Sequence, residues 1–254
     1  MKVSIVTVCF NSASTIGETI ESVASQNFTN IEYVIVDGKS NDGTLNIIND
    51  SLQKLPKNTL VISENDRGIY DAMNKGLAKS SGDVVGFLNS DDVFADPNAI
   101  DLIAKTFEES DAAIVYGNIV YTASNDLASV TRYWRASHPP ASGMRFGWHP
   151  PHPAFYVKRD VLIKYGGFNL DFKIAGDYEM MVRLITKFGL KAAWCDHLIV
   201  RMREGGASNA GISAIWNANR ECWKAWEVNG LKPSLALLIG KLSWKAYQRL
   251  GPKK

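Results

Sequence analysis

The sequence is poor in cysteine, in long apolar runs and in excess charge of either sign. Among 254 residues there are three cysteines, Cys9, Cys195 and Cys222, an odd number with neither pairing nor metal-ligand spacing. That speaks against a disulfide framework and for a reducing compartment, with the cytoplasm as the expectation. No run approaches the roughly twenty apolar residues that cross a bilayer. The opening stretch, Met1 to Phe10, has one early positive charge, but it is β-branched and runs directly into a helical pattern, so it reads as a strand rather than a signal peptide. Lys and Arg number 28 against 26 Asp and Glu, a formal net charge of +2, which excludes an electrostatic design built around nucleic acid. What the chain does have is 46% apolar and 10% aromatic residues, enough for a large core.

Short apolar runs alternate with helical periods through the N-terminal part. Val3 to Cys9, Ile31 to Val36, Thr59 to Ile62 and Val84 to Leu88 read as strands, Ile31 to Val36 being continuously apolar as a strand covered on both faces should be. Ser14 to Gln26, with Ser14 as N-cap, Asp42 to Leu52 and Ile69 to Lys79 read as helices. The result is α/β, a parallel right-handed winding. Further on, a helix is expected at Asn98 to Phe107 and a strand at Ala113 to Tyr121. A long segment rich in Pro, Trp and His, Tyr133 to Pro153, follows. Short helices are expected at Val157 to Tyr165 and Tyr178 to Phe188, the latter opened by Asp177, and an extended run at Lys191 to Met202. No repeat or low-complexity linker divides the chain, so we read one domain over 1–229 and an appendage over 230–254.

Ligands of such sheets bind beyond the carboxyl ends of the strands. Acids stand there: Asp37 after the second strand, Glu64 and Asp66 after the third, Asp91 and Asp92 after the fourth. Asn89-Ser90-Asp91-Asp92 suits Mg²⁺ or Mn²⁺, which take one or two carboxylates and leave other positions to water and substrate phosphates. A strand-to-helix turn capped by Asp92 or Asp96 ahead of Pro97 explains the same residues, and both readings stay open.

His152, held among prolines in Trp148-His149-Pro150-Pro151-His152-Pro153, is a candidate contact to metal or diphosphate, or a structural loop histidine. Arg201 and Arg203 are candidate phosphate clamps or a solvated strand end, and Arg67 has the same two readings. Tyr133, Trp134 and Trp148 either stack on a bound ligand or fill the core. After Glu227 there is no acid, while Lys232, Lys241, Lys245, Arg249, Lys253 and Lys254 are cationic. On a helix, Lys241, Lys245, Gln248 and Arg249 share a face beside an apolar stripe of Leu235, Ile239, Leu242, Ala246 and Leu250. That amphipathic helix suits an anionic membrane surface; the alternative is docking on the chain's own core or on a second subunit, as a homodimer.

Four motifs carry a resemblance. Ser4-Ile5-Val6-Thr7-Val8-Cys9-Phe10-Asn11, Val36-Asp37-Gly38-Lys39-Ser40-Asn41-Asp42-Gly43-Thr44, Asn89-Ser90-Asp91-Asp92 and Gly176-Asp177-Tyr178-Glu179 occur in the order and spacing of family 2 glycosyltransferases of GT-A fold. Asp66-Arg67-Gly68-Ile69-Tyr70-Asp71-Ala72-Met73-Asn74-Lys75-Gly76, Pro151-His152-Pro153 and Met202-Arg203-Glu204-Gly205-Gly206-Ala207-Ser208-Asn209 resemble bacterial members that build surface polysaccharides. The resemblance implies a Rossmann-like nucleotide-binding winding with a mixed central sheet, and a nucleotide-diphosphate sugar donor, UDP-sugar by preference. It implies a glycan or lipid-linked acceptor at the cytoplasmic membrane face. By motif position, Asp37 would hydrogen-bond the base in a pocket lined by Val8, Phe10 and Asn11. Asp66, Arg67 and Asn74 would belong to the donor site. Asn89 and Asp91 would face ribose, Asp91 and Asp92 would hold the metal, and Asp177 would be the general base of an inverting transfer. Asn89 stands where the family often has aspartate, and Gly176 where many relatives carry an acid.

Two rival readings are a sugar-phosphate nucleotidyltransferase and a catalytically silent nucleotide-sugar or glycan-binding module. The first wants a Gly-rich basic phosphate loop after the first strand, and Cys9-Phe10-Asn11-Ser12-Ala13-Ser14 offers none. The second would keep the pocket without Asp177.

Overall fold

The computed structural model describes residues 1–140, 143–205, 212–234, 236, 237 and 240. Its N-terminal part is β1 (Val3–Cys9), β2 (Ile31–Asp37), β3 (Asn58–Ser63) and β4 (Val84–Phe87), parallel in the order β3-β2-β1-β4. β1 and β2 are buried at every position, as unbroken apolar runs covered on both faces must be. α1 (Ile16–Ala24), α2 (Thr44–Ser51) and α3 (Ile69–Lys79) alternate with these strands. α3 lies so close that a Cβ on Gly76 would collide with Val6 Cγ1.

A short turn then leads to β5 (Val93–Phe94), followed by α4 (Ala99–Glu109), β6 (Ile114–Ala123), β7 (Asp126–Trp134) and β8 (Phe155–Lys158). Next come α5 (Arg159–Tyr165), α6 (Gly176–Met181) with a π-helical continuation Val182–Lys187, β9 (Ala192–Arg203) and α7 (Ile212–Val228). The sheet continues β4-β8-β6-β9-β5, with β7 also on β6. β8 is antiparallel to β4 and β6, and β9 is parallel to β6 but antiparallel to β5, so the sheet is mixed.

Side chains alternate between two cores. Val6, Val8, Val34 and Val36 point to one, with Tyr70 and Trp226; Ile5, Tyr33 and Ile35 point to the other, with Ile16, Ile48 and Ile103.

The structure corrects several expectations. Val157 and Lys158 are strand, paired with Val85 and Val84, and the helix begins only at Arg159. Asp177 does not open its helix; Ala175 is the N-cap and Asp177 sits inside the first turn. Thr15, not Ser14, occupies the N-cap of α1, and the Ser12 carbonyl accepts the N–H groups of Thr15 and Ile16. Tyr133 and Trp134 end β7 rather than opening a loop.

The expected interfacial helix, with Lys241, Lys245, Gln248 and Arg249, lies outside the described residues. Leu237 is fully buried in the first core and Gly240 abuts the Phe146 carbonyl, so the described part of 230–240 packs on the domain. Among the described residues no helix is long and apolar enough to cross a membrane.

Candidate active site

Three loops converge beyond β1, β2 and β3. Asn11 and Lys39 both adopt left-handed backbone, at φ of 51° and 66°. Asn11 N–H donates to Ser40 Oγ at 2.8 Å and Asn41 N–H to Asn11 Oδ1 at 3.0 Å, which stitches the first two loops together. Phe10 remains 63% exposed, a large apolar ring just past the end of β1. A Cβ on Gly38 would stand 2.5 Å from Asp66 Oδ2 and 3.3 Å from the Phe10 ring, so Phe10, Gly38 and Asp66 rim one opening. Val8 is buried beneath them.

The next loop carries the acids. Ser90 Oγ lies 2.8 Å from Ser12 Oγ, which ties the acid turn to the β1 loop. Asp92 is fully buried, with its Oδ2 accepting from Asn89 Nδ2 at 3.2 Å. Its Oδ1 and the Asn89 Oδ1 are buried without a hydrogen-bond partner. Burial and the adjacent Asp91 charge hold the Asp92 carboxyl well above the usual range, and burial raises Asp91 too. Two buried acceptor oxygens left without a partner could serve as ligands to a cation.

Asp177 lies in the first turn of α6. The Tyr70 hydroxyl, at the start of α3, donates to its Oδ1 at 3.2 Å and to the Ile174 carbonyl at 2.8 Å. A Cβ on Gly176 would meet the Tyr70 ring at 2.7 Å, so glycine is required for that contact. Tyr121 lies on β6. Burial raises its pKa, Arg132 opposes that, and the charges of Asp92 and Asp177 both add to it. The Arg132 guanidinium lies 3.6 Å from the Tyr121 ring centroid. His152 stacks on Phe87 at 6.2 Å and meets Phe168 edge-on at 5.9 Å, with both ring nitrogens buried and unpartnered. Burial lowers its pKa, with Asp177 pulling the other way, so the ring is neutral at pH 7.

The sequence profile of glycosyl transferase family 2 matches residues 4–168. The chain belongs to that family. This glycosyltransferase is 26% identical over 208 residues to the PGL/p-HBAD biosynthesis glycosyltransferase of Mycobacterium bovis, covering 81% of its own chain and 78% of the relative. Its fold is GT-A: TarS of S. aureus, solved with UDP-GlcNAc, superposes with a TM-score of 0.68 at 20% identity, over 94% of this chain and 69% of that one. The mannosyltransferase PcManGT of Pyrobaculum calidifontis, solved with GDP-Man and Mn²⁺, gives 0.66 at 18% identity, over 98% and 70%.

Not every candidate residue of the glycosyltransferase reaches the cleft. Asp37 is fully buried and turned inward, accepting from Ser63 Oγ at 2.7 Å and from the Ser40 N–H, so it braces the loop while Asp66 presents the accessible carboxylate. Asn74 pairs both ways with the Phe168 backbone, at 2.8 Å each, and is a strut rather than a donor contact. Arg203 is buried against Glu18 and the Ser124 carbonyl, and half-exposed Arg201 donates through one nitrogen to the Leu127 carbonyl at 3.3 Å. Trp148 is a core residue, edge-on to Tyr116, not an acceptor platform. Arg67 stays on the rim, 77% exposed and paired with Asp71. Arg132 and the bracing role of Tyr70 were not anticipated; Tyr70 lay inside a quoted motif, whereas Arg132 carried no signal in its surroundings.

Proposed function

We propose that this glycosyltransferase moves a hexosyl or acetylhexosaminyl group, with inversion, from a nucleotide-diphosphate sugar to a hydroxyl of a glycan or lipid-linked acceptor in bacterial surface polysaccharide synthesis, lipopolysaccharide included. UDP-sugar is the first choice. The observation that carries the reading is that Asp177, braced by Tyr70, and Asp92 of the acid turn both lie within electrostatic reach of the Tyr121 hydroxyl. The donors printed with TarS and PcManGT support the substrate class.

Phe10 offers a flat face for a base and Asp66 a carboxylate for its polar edge. Asp177 takes the proton of the acceptor hydroxyl as that oxygen bonds to the anomeric carbon. The bond from that carbon to the diphosphate oxygen breaks on the opposite face, and its electron pair leaves with the nucleoside diphosphate.

The acid turn fits Mg²⁺ or Mn²⁺. Among the described residues no group of three or more His, Cys, Asp and Glu gathers, so a closed protein cage is absent there. Two adjacent carboxylates, one with an orphaned oxygen, match a hard cation that draws its other ligands from water and phosphate. Asp91 and Asp92 would hold it, and when bound it would neutralise charge on the departing diphosphate. The six cations of 232–254 support placement at the inner face of the membrane.

Calorimetric titration of UDP, GDP and dTDP, with Mn²⁺ and then with chelator, tests the donor site. One nucleotide should bind only with metal, and Asp91→Asn with Asp92→Asn should abolish that binding. Asp177→Asn should keep nucleotide binding and lose transfer; wild-type transfer by that variant would remove the base assignment.

A further inference from the structure

The backbone just ahead of Asp177 is held from two helices, by Tyr70 of α3 at the Ile174 carbonyl and by α7 at three successive amides. Glu221 on α7 accepts three consecutive backbone N–H groups, from Lys173 at 3.0 Å, Ile174 at 2.9 Å and Ala175 at 2.7 Å. One turn further, Trp226 Nε1 donates to the Tyr178 hydroxyl at 3.0 Å. Further along, Asn229 Nδ2 donates to Glu179 Oε1 at 2.9 Å. Residues on both sides of Asp177 are therefore held by α7, while its own carboxylate is held by Tyr70 from α3.

The Glu221 contact differs in kind from the other two. A carboxylate received by successive amides is a charge-assisted nest, stronger than neutral pairs and directional in three bonds at once. It also fixes Ile174, whose carbonyl is the other acceptor of the Tyr70 hydroxyl. Releasing these amides would free the Ile174 carbonyl and, through Tyr70, the Asp177 carboxylate.

We propose that Glu221 is a positioning residue for the reaction: it sets where Asp177 stands by clamping the Lys173–Ala175 backbone, and touches no substrate itself. The proposal rests on Asp177 acting as the base. Misplacing a reacting group by about 1 Å costs on the order of 100-fold in rate, so loss of the clamp should fall on kcat rather than on donor binding.

The test compares Glu221→Gln, which retains one acceptor oxygen, with Glu221→Ala in the full chain. Expected are kcat losses of about tenfold and about 100-fold respectively, with donor KM unchanged and nucleotide still binding one per chain by calorimetry. Amide hydrogen exchange at Lys173, Ile174 and Ala175 should accelerate in the same order. Glu32→Gln, far from the site, serves as a control that loses stability without losing kcat. Unchanged kcat or unchanged exchange in Glu221→Ala would overturn the proposal, as would nucleotide stoichiometry falling in step with kcat, which signals a folding defect. Should Asp177→Asn transfer sugar normally, the base reading fails first and this proposal with it, whatever Glu221→Ala does.

Discussion

The Tyr70 hydroxyl shares one proton between two acceptors, the Ile174 carbonyl at 2.8 Å and Asp177 Oδ1 at 3.2 Å. A side chain at the start of α3 thus ties Asp177 to the backbone ahead of it. Tyr70→Phe keeps the ring that Gly176 accommodates and removes only this tie. Transfer should slow about tenfold, while the loss of the hydroxyl's hydrogen bonds costs about 1 to 2 kcal/mol in stability. Steady-state kinetics and thermal melting separate the two; unchanged kcat would show the hydroxyl idle.

Asp92 supplies a prediction with opposite signs for stability and function. Burial raises its folded pKa above the unfolded value, so the folded state holds the proton more tightly. For this group, metal-free stability should fall as pH climbs above the usual carboxylate range. Asp92→Asn should therefore raise the melting temperature of the chelated protein and abolish the further rise that Mn²⁺ with nucleotide gives the wild type. A melting temperature that drops in chelator would contradict the buried-charge account.

Glu32 behaves in the reverse sense. Burial alone would raise its pKa, but bonds from Lys2 Nζ, Ser4 Oγ, and the Ser81 hydroxyl and N–H overcome that and pull it down to about 2. Its contribution is fully present above the unfolded value near 4.5 and disappears as pH falls through about 2. Glu32→Gln should destabilise the protein by about 2 to 3 kcal/mol at pH 7 and by almost nothing near pH 2. Urea melts at the two pH values check this.

Gly86 meets the ring of Tyr156 where β4 joins β8, and a Cβ there would overlap three ring atoms. Tyr156 is 1% exposed and has nowhere to retreat. Gly86→Ala should cost about 1 to 3 kcal/mol, read as a lower denaturation midpoint with unchanged slope. A neutral substitution would mean the two strands can slide apart.

The N-terminal winding was legible because β1, β2 and β4 are buried along their length and their helices show clear apolar faces. What escaped was built from distant partners. β5 is two residues long and exists because Val93 and Phe94 pair with Arg201 and Val200. β7 has a mixed exposure pattern with no clean alternation, and its register against β6 shifts twice. Val157 and Lys158 looked helical until β4 claimed them. In the site, the acid turn was readable from its place at a strand end. The roles of Asp177, Asp37 and Asn74 came from motif position, and for Asp37 and Asn74 the packing assigned other duties. Tyr70, Arg132 and Glu221 act across large sequence separations, which no local pattern encodes.

The strand order puts β4 and β5 four places apart, yet Leu88 to Asp92 alone joins them. In a flat sheet that gap would be about 19 Å at roughly 4.8 Å per strand. Six peptide steps reach about 20 Å only when fully stretched, and this link contains a turn, closed by Asp92 N–H on the Asn89 carbonyl at 3.2 Å. The sheet must therefore curl enough to bring β5 nearer to the end of β4 than a flat sheet allows, and the acid turn spans that shortened gap. One residue inserted after Leu88 would slacken the whole curl and carry the carboxylates out of line with Asp177 in the same movement. The length of that loop is thus a dimension of the fold as much as of the chemistry.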